Sequence, residues 1–337
     1  MPVLLQNNSI VTPFEAVTGM YSLPGRHDID PTAILAPFYF LFFGLMLSDA
    51  AYGLILTTLC AIILKKYKPE GTTHRMIKMF MFCGLSTFMW GALFGGWFGN
   101  FFTVAAKTFF GKEFVIKPLW FDPLSEPMKL LVVSLILGAI HLFVGMGVQA
   151  YMDIKDGRPL DALFDIGLWY LLLIGIVLFA FGGKLGAGAV GIGKIMAIIG
   201  AVGILLTGGR KKKGIFGKLT GGLGSLYGIT SYLSDVLSYS RLLALGLATG
   251  VVAQVFNTLG SLAGGGIAGS VLLIVVFAFG TVFNIAINAL GAFVHSCRLQ
   301  YVEFFGKFYT GGGRPFAPFE RKTKYIKILK EGNDNVK

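Results

Sequence analysis

The chain has 337 residues, of which 55% are hydrophobic and 14% are charged, and it contains 47 glycines. Soluble domains carry about 25% charged residues, so this composition excludes a soluble globular enzyme and a disordered chain, and indicates a protein of the lipid bilayer. The net charge of +12 would suggest nucleic acid in a soluble protein, but in a membrane protein we expect no nucleic acid partner and take the basic residues as markers of orientation.

The chain begins with a polar, proline-containing segment, 1–33, that is predicted to be cytoplasmic. The first apolar segment, 34–64, holds a single charge, Asp49, at its middle. As one helix it would be about 46 Å long, against a hydrocarbon core of about 30 Å. We therefore predict a hairpin that turns at Asp49. This carboxylate either caps the turn or lies in an aqueous vestibule on the external side.

Four further apolar segments complete the first part of the membrane domain. They lie at about 79–102, 129–150, 164–182 and 190–208, and each is long enough to span a bilayer. Together with the hairpin they predict six membrane helices over 34–208. A basic cytoplasmic loop is expected to follow over 209–224.

The region 225–309 contains two apolar segments of unusual length, at about 225–259 and 267–309. They would form helices of about 50 Å and about 64 Å, which is longer than upright spans require. We expect both helices to tilt strongly, to project from the bilayer, or both. The chain ends in a basic tail, 310–337, which is predicted to be cytoplasmic.

Three clusters of basic residues predict the orientation, because cytoplasmic loops are enriched in Lys and Arg. The clusters are Lys65, Lys66, Lys68, Arg75 and Lys78; Arg210, Lys211, Lys212, Lys213 and Lys218; and the tail from Lys307 onward. An even number of predicted spans separates each cluster from the next, so all three fall on one side. We therefore predict an all-α protein with about eight transmembrane helices that crosses the cell membrane and has both termini in the cytoplasm.

Each of the last two predicted helices carries a stripe of polar residues. The stripe of the last helix consists of Asn284, Asn288, Gly291, His295 and Arg298; that of the preceding helix consists of Ser231, Ser234, Ser238 and Arg241, with Asp235 beside it. The members of each stripe are three or four residues apart, which keeps them on one helical face. Such stripes either join two membrane helices by hydrogen bonds or line a path for ions.

The two arginines favour the ion path. An arginine inside the membrane costs at least about 2.5 kcal/mol, so it normally faces a cavity, a partner or an ion route. The alternative is a snorkelling side chain at the end of a span, which suits Arg298 better than Arg241. His295 is either a structural histidine or part of the path. Glu303 either forms an ion pair that serves packing or takes part in function.

No catalytic machinery is apparent in the sequence. Residues 188–194 match the phosphate-binding pattern G-x-x-x-x-G-K, but Ile195 follows where that loop needs Ser or Thr to hold Mg²⁺. The segment also lies between two predicted membrane helices. We therefore expect no cofactor, no bound metal and no catalytic activity from the chain by itself.

Three motifs are similar to one family of membrane proteins. They are FFGLMLSDAAYG at 42–53, LSYSRLLALGLA at 237–248 and HSCRLQYVEF at 295–304, and shorter matches lie between 13 and 32. With its motifs in this order, the chain from about 10 to 320 resembles the membrane subunit of V-type and A-type ATPases, called subunit I in prokaryotes and subunit a in vacuolar complexes. Its short loops resemble the prokaryotic type.

The resemblance implies a stator that works against a rotor ring of proteolipid subunits and carries H⁺ or Na⁺ through two offset half-channels. It makes Arg241 the essential stator arginine and Arg298 the second arginine that faces the ring. Peripheral-stalk and soluble ATPase subunits would be further partners, with lipid around the helices. Full-length members carry a cytoplasmic arm before the membrane half, so we expect this chain to be either a truncated piece or a naturally split subunit.

Two other functions are compatible with the composition. A secondary transporter or ion channel that works alone would be equally apolar; broken helices and inverted repeats would support it, but no clear repeat is visible in the sequence. A purely structural membrane anchor is the second alternative. It would have no need of two arginines within the membrane, since each of them is costly there.

Overall fold

The computed structural model describes residues 2–25, 28–110, 116–184, 187–210, 215–262 and 267–316. The α-helices are α1 (Glu15–Tyr21), α2 (Thr32–Leu47), α3 (Ala50–Tyr67), α4 (Gly71–Phe94), α5 (Phe101–Phe110), α6 (Pro127–Lys155), α7 (Pro159–Ala162), α8 (Leu168–Phe181), α9 (Ala187–Thr207), α10 (Ile215–Tyr227), α11 (Ile229–Ser238), α12 (Ser240–Ser261), α13 (Ile267–Arg298) and α14 (Phe305–Phe308). The remaining regular structure consists of the two-residue strands β1 (Pro2–Val3) and β2 (Arg314–Pro315), 3-10 turns at Thr12–Phe14 and Gly182–Lys184, and π-helical segments at Leu163–Gly167 and Leu299–Phe304. The predicted all-α class is confirmed.

Among the described residues, seven helical stretches are long and apolar enough to cross a membrane. They are Ala50–Tyr67, Gly71–Phe94, Pro127–Lys155, Pro159–Ala180, Gly188–Thr207, Thr220–Ser261 and Gly269–Phe308. The remaining predicted span is α2, which is apolar but has only 16 residues. The span expected at about 79–102 ends earlier, at Phe94, because Gly95 adopts a left-handed conformation with φ +74° and stops the helix.

The predicted hairpin at Asp49 is confirmed. Helix α2 stops at Ser48, which has φ 32°, and Asp49 caps the start of α3. Helix α4 packs against both arms. It runs parallel to α2, since Phe43 meets Phe80 and the later residue Gly44 meets Ser86. It runs antiparallel to α3, whose residues Gly53 and Thr57 lie against Phe88 and Gly84. The arms α2 and α3 therefore run in opposite directions.

The two ends of the described chain meet at one end of the helical bundle. Strand β1 pairs with β2 in parallel, and Pro2 lies opposite Arg314. The Tyr309 hydroxyl donates to the Ser22 carbonyl at 2.8 Å, and the Tyr301 hydroxyl donates to the Val17 carbonyl at 2.7 Å. Residues 2–3 and 314–315 therefore lie side by side at this end of the bundle. That this end faces the cytoplasm stays a prediction from the basic clusters, and the tail beyond 316 lies outside the described residues.

The two long apolar segments are long helices with local irregularities. The first begins earlier than expected, at Ile215, so part of the predicted basic loop 209–224 is helical; residues 211–214 lie outside the described residues. Gly222 permits this extension to pack on α9, because a Cβ there would be 2.0 Å from the Leu205 carbonyl oxygen. The stretches Thr220–Ser261 and Gly269–Phe308 have 42 and 40 residues, or about 60 Å each. Their strong tilt stays a prediction.

The core is aromatic and the outer surface is apolar. Buried residues from α2, α4, α6, α12 and the segment 299–309 form one cluster that includes the rings of Phe42, Tyr239 and Phe304. On the outer face of α13, Phe279 is 64% exposed and Val282 is 70% exposed. An apolar surface of this kind is expected of helices that face lipid or a partner.

We expect Gly91→Ala to disrupt the packing of α3 and α4. A Cβ at this position would lie 2.0 Å from the Ala50 nitrogen, so the helices must separate, and we expect a loss of about 2 kcal/mol or more in the free energy of unfolding. Thermal unfolding in detergent measures this loss. Gly191→Ala is the matched control, since no atom lies within 4 Å of the added methyl group, and it should be neutral or slightly stabilising. Equal behaviour of the two variants would contradict the proposed packing.

Candidate functional site

Arg241 lies in the first turn of α12, directly after an irregularity in the helical path. The Tyr239 N–H donates to Val236 at 3.1 Å, and the Tyr239 carbonyl accepts from the Leu242 N–H at 3.0 Å. These three-residue bonds tighten the backbone between α11 and α12. The guanidinium of Arg241 donates to Glu303 Oε1 at 3.4 Å and to Ser238 Oγ at 3.3 Å. The predicted pair Ser238 and Arg241 is thus brought together, and a carboxylate joins it.

A π-helical segment places Glu303 beside Arg241. The segment Leu299–Phe304 follows α13, and the Phe305 N–H donates to the Gln300 carbonyl, five residues earlier. Single π-helical turns of this kind are frequent at functional sites. They rotate the following residues relative to a straight α-helix. The side chain of Glu303 is only 2% exposed, whereas that of Arg241 is 24% exposed.

The polar stripe of α13 divides into two parts. Asn284 and Asn288 are buried. Asn284 donates to the Tyr52 hydroxyl at 3.0 Å and to the Thr249 carbonyl at 3.1 Å, and Asn288 donates to the Asn284 side chain. These contacts correspond to hydrogen bonds that join membrane helices. The asparagines therefore contact α3 and α12 rather than the arginines.

The second part of the stripe lies near Arg241. His295 is partly buried and interacts electrostatically with both Arg241 and Arg298. Arg298 is exposed at the end of α13, and Gly291 lies against Leu245 of α12. His295 thus lies within electrostatic range of both arginines.

Asp235 and Ser234 lie apart from the arginine. Asp235 forms an ion pair with Lys307, whose ammonium lies 4.3 Å from the centre of the Tyr232 ring. Ser234 is exposed. The sequence analysis placed Asp235 beside the polar stripe that ends in Arg241, and the structure pairs its carboxylate with Lys307.

Asp49 occupies the turn of the α2–α3 hairpin and is 3% exposed. Its carboxylate accepts hydrogen bonds from the backbone N–H groups of Ala51, Tyr52, Phe98 and Gly99 at 3.0–3.2 Å. It therefore caps α3 and also ties the segment after α4 to the hairpin. These contacts favour the capping alternative. Asp49 also lines a cavity of about 220 Å³ that includes Asn100, Asp122 and Gln254.

A larger cavity lies toward the other end of the bundle, where the chain termini meet. Its volume is about 480 Å³. The polar residues that line it are Gln149, Asp153, Arg158, Asp161, Asp165, Tyr232, Lys307, Tyr309 and Thr310. Along the path of α11 and α12, Arg241 lies between Tyr232 of this cavity and Gln254 of the smaller one. Measured along the helix, Arg241 is about 14 Å from Tyr232 and about 20 Å from Gln254.

The sequence analysis missed His141, a fully buried histidine in α6. Its Nδ1 lies 2.7 Å from the Tyr239 hydroxyl, and its ring stacks on Phe304 at 4.3 Å. Tyr239 is two residues before Arg241 and Phe304 follows Glu303, so His141 holds both segments that carry the ion pair. The one available signal was a polar side chain in the middle of an otherwise apolar span.

Known proteins are similar to this chain over most of its length. The V-type ATPase 116 kDa subunit family matches residues 229–321. A-type ATP synthase subunit I of Methanocaldococcus jannaschii is 36% identical over 96% of this chain and 50% of its own length. A-type ATP synthase subunit I of Thermococcus kodakarensis is 37% identical over 97% of this chain and 49% of its own length. V-type ATP synthase subunit I of Chlamydia trachomatis is 23% identical over 95% of this chain and 56% of its own length. The chain spans about half the length of these relatives.

We expect Asp49→Ala to destabilise the fold, because it leaves four backbone N–H groups without their acceptor. Losing a helix cap costs about 1 kcal/mol, and losing further bonds to a carboxylate should raise the cost to about 3 kcal/mol. The thermal midpoint in detergent should fall clearly. Asp156→Ala, which removes a 3.4 Å surface pair with Arg158, should change it little. An unchanged midpoint for Asp49→Ala would instead support the vestibule alternative.

Proposed function

We propose that the chain is the stator of a rotary ATPase, because residues 229–321 match the V-type ATPase 116 kDa subunit family and the chain is similar over most of its length to proteins named subunit I of A-type and V-type ATP synthases. In this role it carries H⁺ or Na⁺ across the membrane against a rotor ring of small proteolipid subunits. The peripheral stalk and the soluble ATPase subunits are its further partners. ATP chemistry belongs to those soluble subunits, and this chain is non-catalytic.

The observation that carries the proposal is a partly exposed arginine within an apolar helical pair. The side chain of Arg241 is 24% exposed, so part of it is open to a partner. A ring carboxylate is tolerated in lipid only while it is neutral or loaded with an ion. Next to Arg241 its charged form is stabilised, so it releases its ion. The same fixed cation prevents ions from leaking straight through.

Two half-channels complete the mechanism, and the two cavities support this part of the proposal. The cavity of about 220 Å³ near Asp49 is the start of the external route. The cavity of about 480 Å³ near Lys307 is the start of the cytoplasmic route. Since Arg241 lies between them, an ion must ride on the ring to pass from one to the other. The exposed apolar face of α13, with Phe279 and Val282, suits packing against the ring or lipid.

Purification of the native complex tests the stator role. A tagged chain in its own membrane should co-purify with a proteolipid ring and with soluble subunits that hydrolyse ATP. Isolation of the chain alone, with ion transport after reconstitution in vesicles, would contradict the stator role and favour an autonomous transporter. Isolation of the chain alone, without ion transport, would favour the purely structural membrane anchor.

We expect Arg241→Lys to abolish most ion pumping. A guanidinium is permanently charged and presents five donors, whereas an ammonium loses its proton more readily when it is desolvated. The barrier and the displacing charge would then fail during part of the cycle. The measurement is ATP-driven pumping into sealed vesicles by a complex whose assembly is checked separately. Near-normal pumping would show that a permanent cation is not required.

We expect Arg298→Ala to impair pumping less than Arg241→Ala. Arg298 is exposed at the end of α13, where water screens part of its field, while Arg241 is mostly enclosed and acts through a lower dielectric. Pumping rate and passive ion leak should be measured for both variants at equal levels of assembled complex. Equal and complete loss of pumping would contradict this ranking.

A further inference from the structure

The cation at the centre of the proposed mechanism already has a carboxylate partner within its own chain. Glu303 Oε1 lies 3.4 Å from an Arg241 nitrogen. The other carboxylate near Arg241 in the sequence, Asp235, is bound to Lys307. Among the described residues, Glu303 is therefore the one carboxylate paired with Arg241. The pair joins α12 to the π-helical segment after α13, 62 residues away in the chain.

The pair is asymmetric. Glu303 is 2% exposed and is covered on the protein side, whereas Arg241 is 24% exposed. The Arg241 side chain thus lies between a buried internal carboxylate and the accessible surface. The second oxygen of Glu303, Oε2, is buried and has no hydrogen-bond partner among the residues that the structure describes. A charge in this position depends on Arg241 for its compensation.

We propose that Glu303 is the internal counter-ion of Arg241: it holds the guanidinium in place between encounters with the ring, and it weakens the attraction of the arginine for each ring carboxylate. This inference rests on the proposed stator function. It makes Glu303 a positioning residue, since it acts on the ring only through Arg241.

A rotary stator needs such a counter-ion for a physical reason. A lone arginine in a low dielectric would bind a carboxylate so strongly that the ring would stop at each subunit. With Glu303 beside it, the net charge of the Arg241–Glu303 pair is close to zero before the ring carboxylate arrives. The arriving group then competes for the guanidinium, and its departure leaves Arg241 paired. The attraction of Arg241 therefore remains sufficient to displace an ion from the ring carboxylate, and the carboxylate still leaves Arg241 quickly.

The first arm of the test measures the pair without a ring. In the purified chain in detergent, Arg241→Gln should lower the thermal midpoint by roughly 3 °C or more, because it leaves Glu303 buried without its cation. The double variant Arg241→Gln with Glu303→Gln should recover most of this loss. The same midpoint for the single and the double variant would overturn the pairing.

The second arm measures the ring cycle in the assembled complex. Glu303→Gln keeps the side-chain shape and removes the charge, so ATP-driven pumping should slow about tenfold, without added passive leak, as each ring carboxylate is released more slowly. Glu303→Asp restores the charge and should recover part of the rate. The matched control is Glu126→Gln, which alters an exposed pair with Lys129 and should leave the rate unchanged. A normal rate for Glu303→Gln would overturn the counter-ion role.

The two arms separate failure of this inference from failure of the proposed function. If Arg241→Ala abolishes pumping but Glu303→Gln pumps normally, the stator role stands and the counter-ion role is wrong. If Arg241→Ala itself pumps normally, the proposed function is wrong. The thermal measurements then still decide whether Glu303 and Arg241 form a stabilising pair.

Discussion

The rest of this structure depends on keeping the guanidinium of Arg241 charged and oriented inside an apolar bundle. An isolated cation there costs at least about 2.5 kcal/mol, so the fold must supply compensation without closing the group off. Glu303 provides the opposite charge at 3.4 Å, and Ser238 accepts a second hydrogen bond at 3.3 Å. Their position leaves Arg241 partly exposed. A fully buried pair would be more static, and a fully exposed arginine would have a weak field.

Other elements hold this pair rather than take part in it. His141 contacts Tyr239 and Phe304, and so fixes the chain next to each member of the pair. Farther along α12 and α13, Asn284 joins the two helices through the Thr249 carbonyl. At the far end, Asp49 ties the hairpin to the segment after α4. Polar groups within an apolar core specify one arrangement of helices, because any other arrangement would leave them unpaired.

The two explanations of the polar stripes both apply, at different levels of the same helices. Asn284 and Asn288 are buried and hydrogen-bonded to neighbouring helices, so they serve the packing of α13. His295 and Arg298 lie in the part of α13 that faces Arg241 or the surface, and they stay candidates for ion translocation. Both groups have the same helical spacing, so only their burial in the structure distinguishes them.

The sequence by itself determined the membrane class, the helical fold, the hairpin at Asp49 and the position of Arg241 on a long apolar helix. Each of these follows from local properties: apolar length, helical spacing and the cost of a charge in lipid. Only the tertiary structure decided which partner each polar group received. Arg241 pairs with Glu303, Asp235 pairs with Lys307, and His141 meets Tyr239 across 98 residues. These choices depend on how helices pack and on the π-helical turn after Arg298, which changes the direction of the side chains that follow and leaves no mark in the spacing of the sequence.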